Sequence, residues 1–151
     1  MSNAKPRYLL DLNVVLDFLQ RREPWYPAAR RLFEAERREK VDLYLSADAV
    51  STLFYQARKV LPAAKAATMM EILLNRLRIA DVTGAVIHRA FRLGMGDLED
   101  AIQAAAALEA GIGVLVTRDA GDYKELKELQ VLAPEIALAG LELGRPGRPR
   151  A

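Results

Sequence analysis

The aspartates of this 151-residue sequence are the residues whose placement best suits chemistry. Asp11 directly ends the apolar segment Tyr8–Leu10, and Asp119 comes two residues after a second apolar segment closes at Thr117. Ligands of open α/β sheets bind beyond the carboxyl ends of the strands, so both carboxylates would project into one crevice if the two strands are neighbours. An acid that ends a buried strand is costly unless it has a partner or a function, which makes Asp11 the strongest candidate.

A second pair of acids begins a predicted helix. Asp97 and Asp100 are three residues apart and would share one helix face, on which Ala104 and Ala107 follow. These small residues would allow the helix to approach a sheet closely. Glu99 would point about 100° away from Asp100, so we expect it to be peripheral.

Carboxylates gathered in one crevice repel one another unless they are protonated or bind a cation. Ligation by oxygen alone favours Mg²⁺ or Mn²⁺ over zinc, and a water bound to such an ion is suited to phosphodiester hydrolysis. Structural roles stay open beside this interpretation. Asp97 and Asp100 could serve only the helix dipole. Asp119 is also typical of a turn, and Asp122 of a helix cap.

Predicted strands and helices alternate along the chain, which indicates an α/β fold with a mainly parallel sheet covered on both faces. The pattern leaves the strand order open. The predicted strands are Tyr8–Asp11, Leu43–Leu45, Arg78–Ala80, Val114–Thr117 and Val131–Leu132. Four predicted helices are Leu12–Leu19, Trp25–Arg38, Pro62–Leu77 and Asp97–Glu109. Two more are expected to begin after the capping residues Ser46 and Thr83 and to end at Lys59 and Leu93, respectively. A short helix is predicted to begin at Asp122.

The composition predicts one domain, which we place at residues 7–140. Residues 1–6 resemble a vector-derived remnant, and residues 141–151 are expected to be a disordered basic tail. Three arginines in the last eight residues account for the net charge of +2, because the rest of the chain has 19 basic and 20 acidic residues. The absence of cysteine excludes disulfides and thiolate metal sites. No apolar run approaches the roughly 20 residues of a membrane span, so we expect a cytoplasmic protein without membrane contact.

Four passages of the sequence resemble the PIN-domain family, which includes toxins of the VapC type. They are Leu9–Leu16, Leu45–Ser46 with the helix after it, Asp97–Ala106, and Leu115–Asp119 with Asp122–Tyr123. Their order and spacing extend from about Tyr8 to Ala139. The resemblance implies a three-layer α/β/α sandwich and an endoribonuclease that depends on Mg²⁺ or Mn²⁺.

The resemblance also implies roles for individual residues. Asp11, Asp100 and Asp119 would be catalytic metal ligands. Asp97 would lie at the edge of the metal site as a further ligand, and Asp122 would lie at the same edge as a supporting residue.

Three neighbouring residues would assist these ligands. Asn13 and Thr117 would orient them, as residues around a metal site must. Arg118, beside Asp119 in the sequence, is the basic residue that we favour for contacting RNA. The resemblance further implies a homodimer and a small antitoxin protein as a partner.

One position departs from the family pattern. Family members commonly carry a glutamate in the helix after the second strand, and by count this position falls on Thr52. Thr52 could support the site through its hydroxyl but supplies no negative charge. Asp48, one turn earlier, is a candidate to compensate, although its position is also typical of a helix start. The departure keeps a second hypothesis open, a domain that binds RNA or a protein without cleavage.

A third hypothesis is a phospho-acceptor receiver domain, whose strands also end in acids and a threonine. Such a domain needs paired acids at the first strand and a lysine after the last one. Neither feature is clear in this sequence, so this interpretation is the weakest of the three.

Overall fold

Five parallel strands form the central sheet in the described residues, 4–123 and 126–143, of the computed structural model. They are β1 (Arg7–Leu10), β2 (Asp42–Ser46), β3 (Arg78–Ala80), β4 (Val114–Val116) and β5 (Gln130–Leu132). Their order in the sheet is β3-β2-β1-β4-β5. The chain therefore builds outward from β1 in both directions, and β1 and β4 are neighbours as the crevice hypothesis requires.

Helices connect the strands and cover the sheet. They are α1 (Leu12–Leu19), α2 (Tyr26–Arg37), α3 (Ala47–Arg58), α4 (Ala63–Arg76), α5 (Gly84–Arg92), α6 (Leu98–Glu109) and α7 (Pro134–Leu143). The first six lie within one residue of the predicted bounds. The sequence analysis missed α7, and its predicted start of a short helix at Asp122 is wrong, because a 3₁₀ turn spans Ala120–Tyr123.

Alternation along the strands divides the core between the two faces of the sheet. Leu10 of β1 and Val116 of β4 belong to one buried cluster, with residues of α1 to α4 and α7. Leu9 and Leu115 belong to the other, with residues of α5 and α6. The run Ala104–Ala107 of α6 is fully buried against this second face, which confirms the expected close approach. The architecture confirms the predicted three-layer α/β/α sandwich.

The domain boundaries stay a prediction. The boundary placed after residue 140 falls within α7, which continues to Leu143 and buries Leu138 and Leu141. Residues 1–3 of the predicted remnant and residues 144–151 of the predicted tail lie outside the described residues. Among the helices that are described, none has the length and apolar character to cross a membrane.

Candidate functional site

Asp11 lies at the carboxyl end of β1, where the strand order changes direction, and it is buried. Its backbone N–H donates to the carbonyl of Val116 at 2.9 Å, which fixes it beside β4. As the N-cap of α1, its Oδ1 accepts the backbone N–H of Asn13 at 3.0 Å. Oδ2 accepts the hydroxyl of Thr117 at 2.8 Å, and the Tyr123 hydroxyl lies 3.4 Å away. Both carboxylate oxygens are thus held by donors from the protein.

The sheet register explains why Thr117 contacts Asp11. Leu10 pairs with Val116, so the next residues of the two strands are adjacent and point to the same face. Thr117 Oγ1 also accepts the backbone N–H of Asp119 at 3.1 Å. Asn13 contributes its backbone N–H, a contact that any residue except proline could make.

Gln103 and Tyr123 also support Asp11, and the sequence analysis assigned a role to neither. Gln103 is buried in α6, where its Oε1 accepts the backbone N–H of Leu12 at 3.0 Å and its Nε2 donates to the Tyr123 hydroxyl at 3.3 Å. The sequence feature that could have identified Gln103 is that it is a lone polar residue among the alanines that follow Asp100. A buried polar group needs such partners.

Asp100, at the start of α6, lies near enough to Asp11 for the charge of Asp11 to raise its pKa. The Tyr123 hydroxyl donates to Asp11 at 3.4 Å and lies near enough to Asp100 to lower the pKa of that carboxyl. Burial raises the pKa of Asp100 to about 6, helped by the charges of Asp97 and Asp11, and the bond from Tyr123 opposes this increase. Burial and the adjacent carboxylates raise the pKa of Tyr123, so its hydroxyl stays a proton donor.

Asp97 and Glu99 flank Asp100. Asp97 caps α6, because its Oδ1 accepts the backbone N–H of Asp100 at 2.9 Å, a structural role different from the helix-dipole role that the sequence left open. Glu99 is exposed at the surface. Partial desolvation of its carboxyl is the main cause that raises its pKa, and the charges of Asp48, Asp97 and Asp11 raise it further. Glu99 therefore lies at the exposed rim of the site, and its charge interacts with those of the neighbouring acids.

Asp119 and Asp122 lie on the exposed turn after β4. The carbonyl of Asp119 accepts the backbone N–H of Asp122 at 3.0 Å, which is the turn role that the sequence left open. Asp122 is among the charges that raise the pKa of Asp100, and Asp119 is not. The structure therefore couples Asp122 to Asp100 more directly than it couples the predicted ligand Asp119.

Arg118, predicted to contact RNA, is bonded within the protein. Its Nε and Nη2 donate to the two carboxylate oxygens of Asp17 at 2.9 and 3.3 Å. Its guanidinium also lies 3.7 Å above the ring of Trp25. Asp17 is only 2% exposed, and burial raises its pKa while Arg118 and Arg22 lower it. The sequence feature that could have predicted the Asp17–Arg118 pair is the presence of an acid, Asp17, within the otherwise apolar α1.

The second strand leads into α3, where the departure at Thr52 lies. Thr52 is half-buried. Asp48 lies in the first turn, and Ser46 is the N-cap but makes no side-chain capping bond. Within the described residues, Ser46 Oγ and Asp48 Oδ1 are the buried side-chain polar atoms that lack a hydrogen-bond partner.

The donor chemistry of the site fits a hard divalent cation, but the ligands are not gathered. In the described part of the chain, no three Asp, Glu, His or Cys side chains are close enough together to hold a metal ion. Asp11, Asp97, Asp100 and Asp119 therefore do not form a preformed site, contrary to the expectation of convergence at one point. The fit rests on carboxylate oxygens that repel one another and on the buried, unpartnered Asp48 Oδ1.

A family model described as the PIN domain matches residues 7–121. No curated protein sequence matches the chain. Three similar solved structures share 18 to 23% identity with it, a level that shows the fold.

The first is VapBC2 from Rickettsia felis bound to a DNA fragment from its promoter, with 18% identity and a TM-score of 0.63 over 83% of this chain and 96% of that chain. FitAcB from Neisseria gonorrhoeae has 23% identity and a TM-score of 0.65, covering 85% and 98% of the two chains. A toxin–antitoxin complex from Klebsiella pneumoniae has 20% identity and a TM-score of 0.64, covering 84% and 97%.

Proposed function

The chain belongs to the PIN-domain family, and on this premise we propose that it is an endoribonuclease dependent on Mg²⁺ or Mn²⁺, the toxin of a toxin–antitoxin pair. The observation that carries the proposal is the group of mutually repelling carboxylates around Asp11 at the edge of the sheet. Within the described residues, the charges that act on Asp100 and Glu99 all come from other carboxylates. Such a group is stabilised when a divalent cation binds.

A comparison inside the molecule supports a functional interpretation of these acids. Asp17 is also a buried aspartate, and the fold compensates its charge with Arg118 and Arg22. Around Asp100 the described residues provide no such basic side chain, and the pKa is raised to about 6. A purely structural acid would be expected to have a partner like that of Asp17, because an unpaired charge is costly to bury.

We assign the cation to Asp11 and Asp100, with Asp97 and Asp119 as further ligands. When bound, the ion would lower the pKa of a water and stabilise charge on an RNA phosphate. Asp11 is suited to a fixed ligand role, since the donors from Asn13 and Thr117 set its orientation.

The remaining assignments concern protons and substrate. The raised pKa of Tyr123 keeps its hydroxyl protonated, so Tyr123 can donate its one hydrogen bond to either Asp11 or Asp100 across the working pH range. Asp122 adds negative charge at the edge of the site. A phosphate that binds Arg118 would have to compete with Asp17 for the guanidinium.

The proposed partners are RNA, a small antitoxin protein and a second copy of the chain, in the cytoplasm. The support is family membership and the resemblance to a solved toxin–antitoxin complex. Co-expression with any short open reading frame found adjacent to the gene, followed by co-purification and mass measurement, tests the antitoxin and the homodimer together. Failure of any adjacent small protein to co-purify would contradict the antitoxin assignment.

RNA digestion with Mn²⁺ or Mg²⁺, and with EDTA, tests the activity. We expect Asp11→Asn to abolish metal-stimulated cleavage while the circular dichroism spectrum is unchanged, because asparagine can still accept the bond that caps α1. The matched control is Glu135→Gln, an exposed acid in the first turn of α7 that should cleave like the wild type. Unchanged cleavage by the Asp11 variant would refute the assignment.

The second candidate is a domain that binds RNA or a protein without cleavage. The observation that favours it is that the predicted ligands are not gathered, together with the uncharged Thr52. Calorimetry with Mn²⁺ distinguishes the two, because a non-catalytic domain should show no millimolar or tighter binding.

A further inference from the structure

We propose that the exposed part of the Trp25 indole is a stacking site for a base of single-stranded RNA. This inference rests on the proposed function, since it names a part of the substrate site. Trp25 lies in the segment that joins α1 to α2, directly before the first residue of α2.

The first observation is the exposure of the indole. Trp25 is 38% exposed. Tyr26, the next residue, is half-buried, and its ring stacks on that of Phe18 with the two centroids 6.5 Å apart. The core therefore takes up one aromatic side chain of this segment and leaves the other at the surface.

The second observation is the support behind the indole ring. The guanidinium of Arg118 lies 3.7 Å from the centre of the ring. Arg118 is itself fixed by its two hydrogen bonds to the buried Asp17 of α1. One face of the indole is thus covered by a planar cation whose position is set by the fold. A ring that is already held in one orientation loses little conformational freedom when a base stacks on it.

The third observation is the location of this ring. Arg118 directly follows Thr117, whose hydroxyl donates to Asp11 at 2.8 Å, and it directly precedes Asp119. One arginine side chain therefore separates the indole from the turn that carries a proposed metal ligand. An aromatic surface beside the proposed cleavage site is suited to hold a nucleotide of the bound strand.

The residues before Trp25 add positive charge. Arg21 is exposed and Arg22 is half-buried. Glu23 is the one acid between them and Trp25, so two arginines against one glutamate give residues 21–25 a net charge of +1. Sites for single-stranded nucleic acid combine basic side chains, which follow the phosphates, with aromatic rings on which the bases stack. Both components are present in this segment.

A purely structural role for Trp25 would be to shield the pair of Arg118 and Asp17 from water. An aliphatic side chain could also shield this pair, but it could not stack on a base. Trp25→Leu and Trp25→Phe therefore distinguish the two roles, because phenylalanine keeps a flat aromatic face and leucine does not.

The first test is a fluorescence titration of the full chain with single-stranded RNA of about ten nucleotides. EDTA is present to prevent metal-dependent cleavage. Because Trp25 is the only tryptophan of the chain, its fluorescence reports on the proposed contact. We expect RNA to quench it, and inorganic polyphosphate, which has phosphates but no bases, to leave it nearly unchanged. Absence of quenching by RNA would overturn the inference, and so would equal quenching by polyphosphate.

The second test compares the affinities of the variants for the same RNA by fluorescence anisotropy of a labelled strand. Trp25→Leu should weaken binding by at least about fivefold, the lower end of the loss for one stacked base. Trp25→Phe should retain most of the affinity. The matched control is Tyr55→Leu, which should bind like the wild type. Tyr55 is also an exposed aromatic residue beside a cation, Lys59, but it lies in the last turn of α3.

Cleavage in Mn²⁺ separates this contact from the proposed activity. Trp25→Leu should raise the KM for RNA by a factor similar to its loss of affinity and change kcat much less, since the stacked base is bound in the substrate complex and in the transition state alike. Wild-type affinity in Trp25→Leu, or equal losses in the leucine and phenylalanine variants, would overturn the inference and leave the proposed function intact. A wild-type protein that neither binds nor cleaves RNA would overturn both.

Discussion

Replacing Asp100 with asparagine should stabilise the metal-free protein at neutral pH. Burial and the charges of Asp97 and Asp11 raise the pKa of Asp100 from 3.8 to about 6. Since a tenfold change in proton affinity is about 1.4 kcal/mol, this difference corresponds to an upper limit of about 3 kcal/mol against folding when Asp100 is ionised. Asparagine has a similar shape, can accept the bond from Tyr123 and carries no charge.

Two effects reduce the expected gain. Asp100 is partly exposed, so solvent screening lowers the electrostatic cost to about 1–2 kcal/mol. The variant also loses the favourable interaction of a first-turn acid with the dipole of α6, about 0.3–1 kcal/mol. We therefore expect a net stabilisation of about 1 kcal/mol, or about 2–4 °C in melting temperature for a domain of this size.

The pH dependence gives this prediction its sign. The folded state holds the Asp100 proton up to about pH 6, whereas the unfolded state releases it near 3.8. The folded wild type therefore binds more protons in this window, and its free energy of unfolding decreases as the pH rises through it. The advantage of Asp100→Asn should be absent below pH 3.8, where both states are protonated, and complete above about pH 6.

Thermal melts in EDTA at several pH values provide the assay, with Glu135→Gln as a control that should show no comparable gain. A variant less stable than the wild type at pH 7.5 would refute the reasoning, as would a stability difference that is the same at pH 4 and pH 7.5. Added Mn²⁺ should make the wild type more stable than Asp100→Asn, because only the wild type retains the Asp100 carboxylate as a metal ligand.

Three further substitutions test the supports of the site by chemical denaturation. Thr117→Val should cost about 1–3 kcal/mol, because it removes the 2.8 Å donor to the buried Asp11; a neutral effect would show that this bond is replaceable. Asp17→Asn should cost about 3 kcal/mol by leaving Arg118 partly buried without its counter-charge, and a loss under 1 kcal/mol would contradict this. Tyr8→Phe should cost about 1 kcal/mol through the lost 3.0 Å bond to a carbonyl of α7, and equal stability would rule out a contribution from that bond.

Much of the fold was predictable because its signals are local. Thr83 caps α5 through its side chain, as the sequence indicated, and α6 begins within one residue of its predicted start at Asp97. The start of α7 at Pro134 was missed, although proline is favoured in the first turn of a helix. Its buried positions Ala137, Leu138 and Leu141 have helical spacing and were the overlooked signal.

The candidate site was predictable where one strand end determines the geometry. Asp11 and Thr117 are in contact because the adjacent parallel strands β1 and β4 end at the same level. Once these two strands are neighbours, the contact follows from their register. The partners of Arg118 depend on how α1 and α2 pack near the turn after β4, and no local pattern contains this information. The sequence accordingly predicted the acids of the site better than the side chains that hold them.

The adjacency of β1 and β4 also determines when the site can exist. Asp11 and the Thr117 hydroxyl that holds it are separated by 106 positions, and Thr117 directly follows β4. A long loop must close before this contact forms, so its assembly belongs to the late, slow part of folding. A nascent or truncated chain that ends before β4 would carry Asp11 without its neighbours. A chain with this arrangement cannot hold Asp11 in its final geometry before Thr117 has been synthesised and its strand has paired with β1.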